Sequence, residues 1–189
     1  MDLSEFTNLN KITIRASKDL ESLDISKNDK LDIITVENNE SLTKLDMPKG
    51  TAPTYISIKN NDIQNIDFSS YTELKTLRFN DASISELDLS KNTKLEDIDF
   101  SNSVIEKVVF PKENLIKRLV CADSNLGSID VSDLKLLEYF VCSENNLTEL
   151  DVSNKYYLSY LDCDYNNITN FDLYYYIISI DIFSIYYIP

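Results

Sequence analysis

Apolar side chains recur along this chain in blocks with a fixed step. Around Cys163 they fall at Leu158, Leu161, Cys163 and Ile168, separated by Ser159, Asp162, Asp164 and Asn166. Stepping back by 21 residues gives Leu137, Phe140, Cys142 and Leu147, then Ile116, Leu119, Cys121 and Leu126. Earlier copies run Leu95, Ile98, Phe100, Ile105 and Leu74, Leu77, Phe79, Ile84, then Pro53, Ile56, Ile58, Ile63. The first two, Leu9, Ile12, Ile14, Leu20 and Leu31, Ile34, Val36, Leu42, hold one extra residue before the last apolar position. Within each block the alternation has period two, as in Leu161-Asp162-Cys163, which predicts a short strand with one buried face. One such unit cannot bury its own leucines. Stacked units can, so the period itself predicts a solenoid.

A second motif lies between the strands. It reads LDIS from Leu23, IDFS from Ile66, LDLS from Leu87, IDVS from Ile129 and LDVS from Leu150, with variants LDMP from Leu45, VVFP from Val108 and FDLY from Phe171. A repeat this short leaves little room for a helix after a strand and two turns, so this motif returns along the opposite side as extended chain. Ser26-Lys27-Asn28 and Ser90-Lys91-Asn92 supply turn chemistry after it. A column of Asn39, Asn61, Asn145 and Asn166, with Ser17, Ala82, Ser103 and Ser124 at the other copies, turns the chain out of the strand by bonding backbone groups of the bend. The expected architecture is a solenoid of about eight repeats of 21–22 residues, with a parallel concave sheet, an extended convex side and little helix. Parallel strands at roughly 4.8 Å make such an arc about 35–40 Å long.

The pattern L-x-x-L-x-[LFC]-x-x-N-x-L is the leucine-rich-repeat signature. Combined with LxxLDVSxN and a cysteine in the strand, it resembles the bacterial leucine-rich repeats of the internalin group, over roughly Leu3 to Leu173. The resemblance implies a binding module from an exported bacterial surface protein. The array is expected to occupy residues 1–173. Asp2-Leu3-Ser4 aligns with the middle of the second motif, so the array begins mid-repeat, as a piece of a longer protein would. Residues 174–189 fall out of the 21-residue step. The alternation Ile178, Ile180, Ile182 reads as a strand, and its Tyr-rich flanks suit an irregular cap.

Composition narrows the chemistry. Eighteen basic against 32 acidic residues leave a net charge of −14, which argues against nucleic acid and anionic membranes as partners. Histidine is absent, removing Ser-His and Cys-His nucleophile systems and His-ligated zinc. Two glycines cannot build a Gly-rich phosphate loop, and no cofactor is expected. The first residues carry no secretory signal, and no apolar run is long enough to insert in a bilayer. A secreted or surface location is implied for the full-length protein by the resemblance; a cytosolic one stays open. Cys121, Cys142 and Cys163 share the inward column with Phe100, Phe79, Ile58 and Val36, so they read as small buried hydrophobes rather than redox or metal groups. The column Asp24, Asp46, Asp67, Asp88, Asp130, Asp151, Asp172 invites calcium, but Val109 breaks it and local backbone bonding suits it better.

The outward strand positions form the candidate binding face. In the second half they comprise Asp97, Asp99, Arg118, Tyr139, Val141, Tyr160, Asp162, Asp164 and Tyr165. Tyrosine gives a large rigid contact with a polar tip, and the acids suit a basic partner, so a protein or a glycan is the expected ligand. Exposed sheet edges could also pair two copies. Two other readings compete with a non-enzymatic scaffold: a spacer that holds another domain, and a glycosidase using Asp97 with Asp99 or Asp162 with Asp164.

Overall fold

The computed structural model describes residues 1–49, 53–63 and 66–169, together with the backbone of Ile182–Ser184. Nine strands form one parallel sheet: β1 (Lys11–Arg15), β3 (Ile33–Asn39), β5 (Tyr55–Asn61), β6 (Thr76–Asn80), β8 (Asp97–Asp99), β10 (Arg118–Val120), β11 (Tyr139–Val141), β12 (Tyr160–Asp162) and β13 (Ile182–Ser184). The return segments make two short parallel pairs. One joins β2 (Ser22–Asp24) to β4 (Lys44–Asp46), the other β7 (Ser83–Asp88) to β9 (Val104–Val109). No helix occurs among the described residues.

The register follows the sequence period. Lys11 pairs with Ile33 and Ile33 with Tyr55, 22 residues apart; from Tyr55 to Tyr160 each step is 21. Each rung therefore contacts only its neighbours in the stack. The last step returns to 22, with Tyr160 opposite Ile182 and Leu161 opposite Phe183. A uniform 21-residue step places Ser184 under Cys163, whereas one extra residue places it under Asp162. The rest of the expected cap at 174–189 lies outside the described residues.

Inward columns fill the interior. Ile34, Ile56, Leu77, Ile98, Leu119, Phe140 and Leu161 are all sealed from solvent, and Val36, Ile58, Phe79, Phe100, Cys121, Cys142 and Cys163 stack beside them. The three thiols are free and buried. Burial raises all three pKa values, Cys163 to about 12 with Asp164 and Asp162 adding to it. Thiolate chemistry is correspondingly suppressed.

The turns are closed by side chains. Asn145 accepts from the Ser124 and Leu126 amides at 3.0 and 2.9 Å and donates to the Cys121 carbonyl at 2.8 Å. Asn166 accepts from the Leu147 amide and donates to the Cys142 carbonyl, while Asn39 and Asn61 bond directly to each other. Where Ser replaces Asn, the Ser124 hydroxyl donates to the Phe100 carbonyl at 3.0 Å. On the opposite side a second ladder appears. Asn28 donates to the Leu3 and Phe6 carbonyls, Asn92 to those of Phe68 and Tyr71, and the buried Lys155 ammonium to those of Ser132 and Ser153. Burial lowers the Lys155 pKa against the pull of Asp151 and Asp130.

The aspartate column accepts backbone amides two residues on: Asp24 from Ser26, Asp67 from Ser69, Asp88 from Ser90, Asp130 from Ser132 and Asp151 from Ser153, at 2.7–2.9 Å. The Ser amide and hydroxyl bonds hold these carboxyls below their ordinary pKa. Among the described residues no three acids or thiols converge as a metal site would require.

Candidate functional site

Every second strand residue points away from the core, and the register lines these residues into columns across the sheet. One column reads Lys11, Ile33, Tyr55, Thr76, Asp97, Arg118, Tyr139, Tyr160. Its second half, joined by Arg78 from the neighbouring column, is a continuous chain of contacts. Arg78 donates from Nη1 to Asp97 Oδ1 at 2.7 Å, and its Nη2 bonds the second carboxylate oxygen. Arg118 Nη1 reaches the same carboxylate at 3.0 Å. The Arg118 guanidinium then lies over the Tyr139 ring, 5.1 Å from its centroid. Tyr139 stacks on Tyr160 at 4.4 Å with only 6° between the planes. Burial opposes ionisation of Asp97, but the two guanidiniums outweigh it and hold the carboxyl below its usual range. Partial burial raises the Tyr160 phenol, with Tyr139 and Asp162 adding to it.

The stack changes what the tyrosines can offer. Tyr139 has Arg118 on one face and Tyr160 on the other, because these neighbours come from the strands on either side. Ring edges and hydroxyls, rather than an open ring face, are what Tyr139 presents. Val141 and Asp164 are each only 9 % exposed and form floor rather than contact surface. Asp162 accepts from the Ser143 hydroxyl at 3.2 Å and the Asp164 amide. Asp99 accepts from Asn80 at 2.7 Å and from Ser101. Tyr165 lies beyond β12, is 56 % exposed, and has φ of 53°.

Tyr165 belongs to a rim column that the apolar pattern does not reveal. Ala16, Asn38, Asn60, Asp81, Asn102, Asp123, Glu144 and Tyr165 each take a left-handed backbone, at φ of 48–59°. No glycine occupies any of them, and Asn and Asp, which tolerate this conformation best, take five of the eight. Sequence reasoning also missed the Arg78 bridge. The opposite signs of Arg78 and Asp97, 19 residues apart and diagonal across adjacent strands, were the available signal.

Formal charge divides along the face. The strands β1, β3, β5 and β6 project Lys11, Arg15, Lys59 and Arg78 against one acid, Glu37. The strands β8 to β12 project Asp97, Asp99 and Asp162 against one base, Arg118.

Strand, side-chain-capped turn and extended return, repeated every 21 or 22 residues, define a leucine-rich-repeat solenoid. Its neighbours among solved structures include internalins. The functional domain of InlJ from Listeria monocytogenes, which includes a cysteine ladder, is 26 % identical over 90 % of this chain and 42 % of that one, with a TM-score of 0.66. The internalin InlF of the same species is 20 % identical over 99 % and 56 %, with a TM-score of 0.70. A leucine-rich-repeat protein of Leptospira interrogans is 17 % identical over 79 % and 47 %, at 0.61. The chain spans about half the length of these structures. No family model and no curated protein matches it. The buried column of Cys121, Cys142 and Cys163 is a cysteine ladder of this kind.

Proposed function

We propose that the chain is a non-enzymatic scaffold that binds a protein or glycan on the outer face of β8 to β12, within a secreted or surface-exposed bacterial protein. The observation that carries this reading is the contact chain from Arg78 through Asp97, Arg118 and Tyr139 to Tyr160. It fixes long side chains in one arrangement before any ligand arrives, so little conformational entropy remains to be lost on binding. Tyr and Arg are also the residues that dominate interface energetics. Likeness to InlJ and InlF supports the exported setting.

The same geometry takes from Asp97 the role of a general acid, which needs a raised pKa, since two guanidiniums hold it low. The test is capture from a panel of extracellular proteins and glycans by the parent and by a Tyr160→Ala, Asp162→Lys variant with unchanged circular dichroism. A ligand retained by the parent alone supports the site; equal retention by both places binding elsewhere.

A further inference from the structure

The flank that leads into the sheet changes character along the stack. Three residues before each strand lies one outward column, and its register is fixed by the Glu138 and Ser159 amides, which donate to the Lys117 and Glu138 carbonyls at 2.8 Å. In earlier rungs this column is polar and paired within the chain. Lys30 donates to Asn8 at 2.6 Å, and Lys94 forms a salt bridge with Glu73. On the rungs of β10, β11 and β12 the same column becomes Leu115, Leu136 and Tyr157. Leu115 is 46 % exposed and Tyr157 62 %, with Tyr156 beside it at 77 %. An apolar strip on three successive rungs is more than a scatter of single exposed side chains. Four exposed charges border it. Glu113 lies two residues before Leu115 and Lys117 two after it; on the next rung Lys135 precedes Leu136 and Glu138 follows it. None of the four enters a salt bridge among the described residues, and with Lys117 and Glu138 on adjacent rungs the border is balanced rather than acidic.

We infer that this flank pairs with the same flank of a second copy of the chain, about a two-fold axis running along the stack. Such an axis sets each rung against its own equivalent and exchanges the residues before the strip with those after it. Leu115, Leu136 and Tyr157 then meet their own counterparts. Glu113 meets the partner's Lys117, and Lys135 meets the partner's Glu138. The order acid then base on one rung, and base then acid on the next, is matched at both rungs by this one axis. A two-fold axis lying across the stack through Leu136 instead sets Glu138 against Glu138 and Lys135 against Lys135. The balanced border also keeps the −14 of each chain from concentrating repulsion at the contact. Leucine offers a sugar neither a ring to stack on nor a hydrogen-bonding group, so the strip suits an apolar protein surface. The axis turns the outer faces of β8 to β12 in the two copies away from each other and leaves both open. Three rungs make a small contact, so the dimer is expected to be half formed only at roughly 0.1 mM.

Sedimentation equilibrium of the full chain between about 10 µM and about 1 mM tests the pairing, and the parent is expected to pass from monomer to dimer over that range. Leu115→Glu, Tyr157→Glu changes two exposed positions so that like charges meet across the axis, and is expected to weaken association at least about tenfold. Glu113→Lys and Lys117→Glu, made in separate chains, each set like charges face to face and are each expected to weaken self-association about fivefold. An equimolar mixture of those two chains is expected to associate within about twofold of the parent, because each copy then supplies the charge the other lacks. The mixture separates contact between copies from any effect inside one copy. A parent that stays monomeric to about 1 mM, or a mixture that associates no more tightly than its components alone, overturns the inference. So does association that ignores Leu115→Glu, Tyr157→Glu, which places the pairing on the exposed sheet edges instead. The scaffold reading stands or falls separately, through the capture experiment.

Discussion

The two halves of the array build the same rungs from different materials. In the first half the strands run for five to seven residues, the outer face is floored by the buried Thr35 and Ser57, and the turn is capped by Asn39 bonded to Asn61. In the second half the strands β8, β10, β11 and β12 run for three residues each. The chain there turns earlier into side-chain-held loops, with Cys in the inner column and Asn145 and Asn166 at the bend. Backbone ladder in one half is exchanged for side-chain capping in the other. The exchange coincides with the proposed binding face, since the second half carries the stacked tyrosines and the bridging Arg118 on its short rungs.

The largest effect should come from breaking a rung of the second half at its centre. Phe140 has no exposed surface, and Phe140→Ala is expected to cost about 3–5 kcal/mol in urea unfolding by opening a cavity between Leu119 and Leu161. Next is the cap. Asn145→Ala strands two buried amides and three carbonyls and is expected to cost about 2–3 kcal/mol, more than Asn61→Ala in the half-buried first-half turn. A loss at Asn61 equal to that at Asn145 would erase the contrast drawn above.

Acid offers a milder probe of both halves together. The column Asp24, Asp67, Asp88, Asp130 and Asp151 has carboxyls depressed in the folded state by Ser bonds. Depressed folded values mean that their contribution is complete at neutral pH. It is lost as pH falls below about 4 and through the folded values. The thermal midpoint is therefore expected to be level from pH 7 to 5 and to fall steeply below 4; a flat profile to pH 2 would sink this account. Smallest is the rim: Ala16→Gly and Glu144→Gly each relieve a left-handed backbone and are expected to raise stability by up to about 1 kcal/mol in the same urea titration. The thiols should be silent, with no reaction to a thiol reagent in the native state and three equivalents after unfolding.

Most of the fold was legible because burial repeats. A residue such as Leu119 occupies a column with the same environment in every rung, so the apolar period alone announces it. The aspartate turns were legible for a related reason: the Asp and Ser that bond each other lie two residues apart. What escaped was contact between rungs outside the apolar columns. The Arg78 bridge to Asp97 and the face-to-face packing of Tyr139 on Tyr160 depend on rotamers chosen across strands, and nothing in one repeat dictates them. The end of the array escaped for a simpler reason. One added residue shifts the register, so a fixed step misplaces Phe183 and Ser184. Lys155 in a column otherwise served by Asn28 and Asn92 was hidden because a lysine between Asn154 and Tyr156 reads as solvent-facing turn.

That each rung touches only the one before and the one after has a mechanical consequence. Tension applied along the stack, from one end to the other, passes through every interface alike, but an end rung is held on one side alone and yields first. The array would then come apart as a zipper does, surrendering one rung at a time. Each released turn of 21 residues would add roughly 70 Å of slack. An optical trap would record evenly spaced steps, and a protein so built would stay tethered while it lengthened.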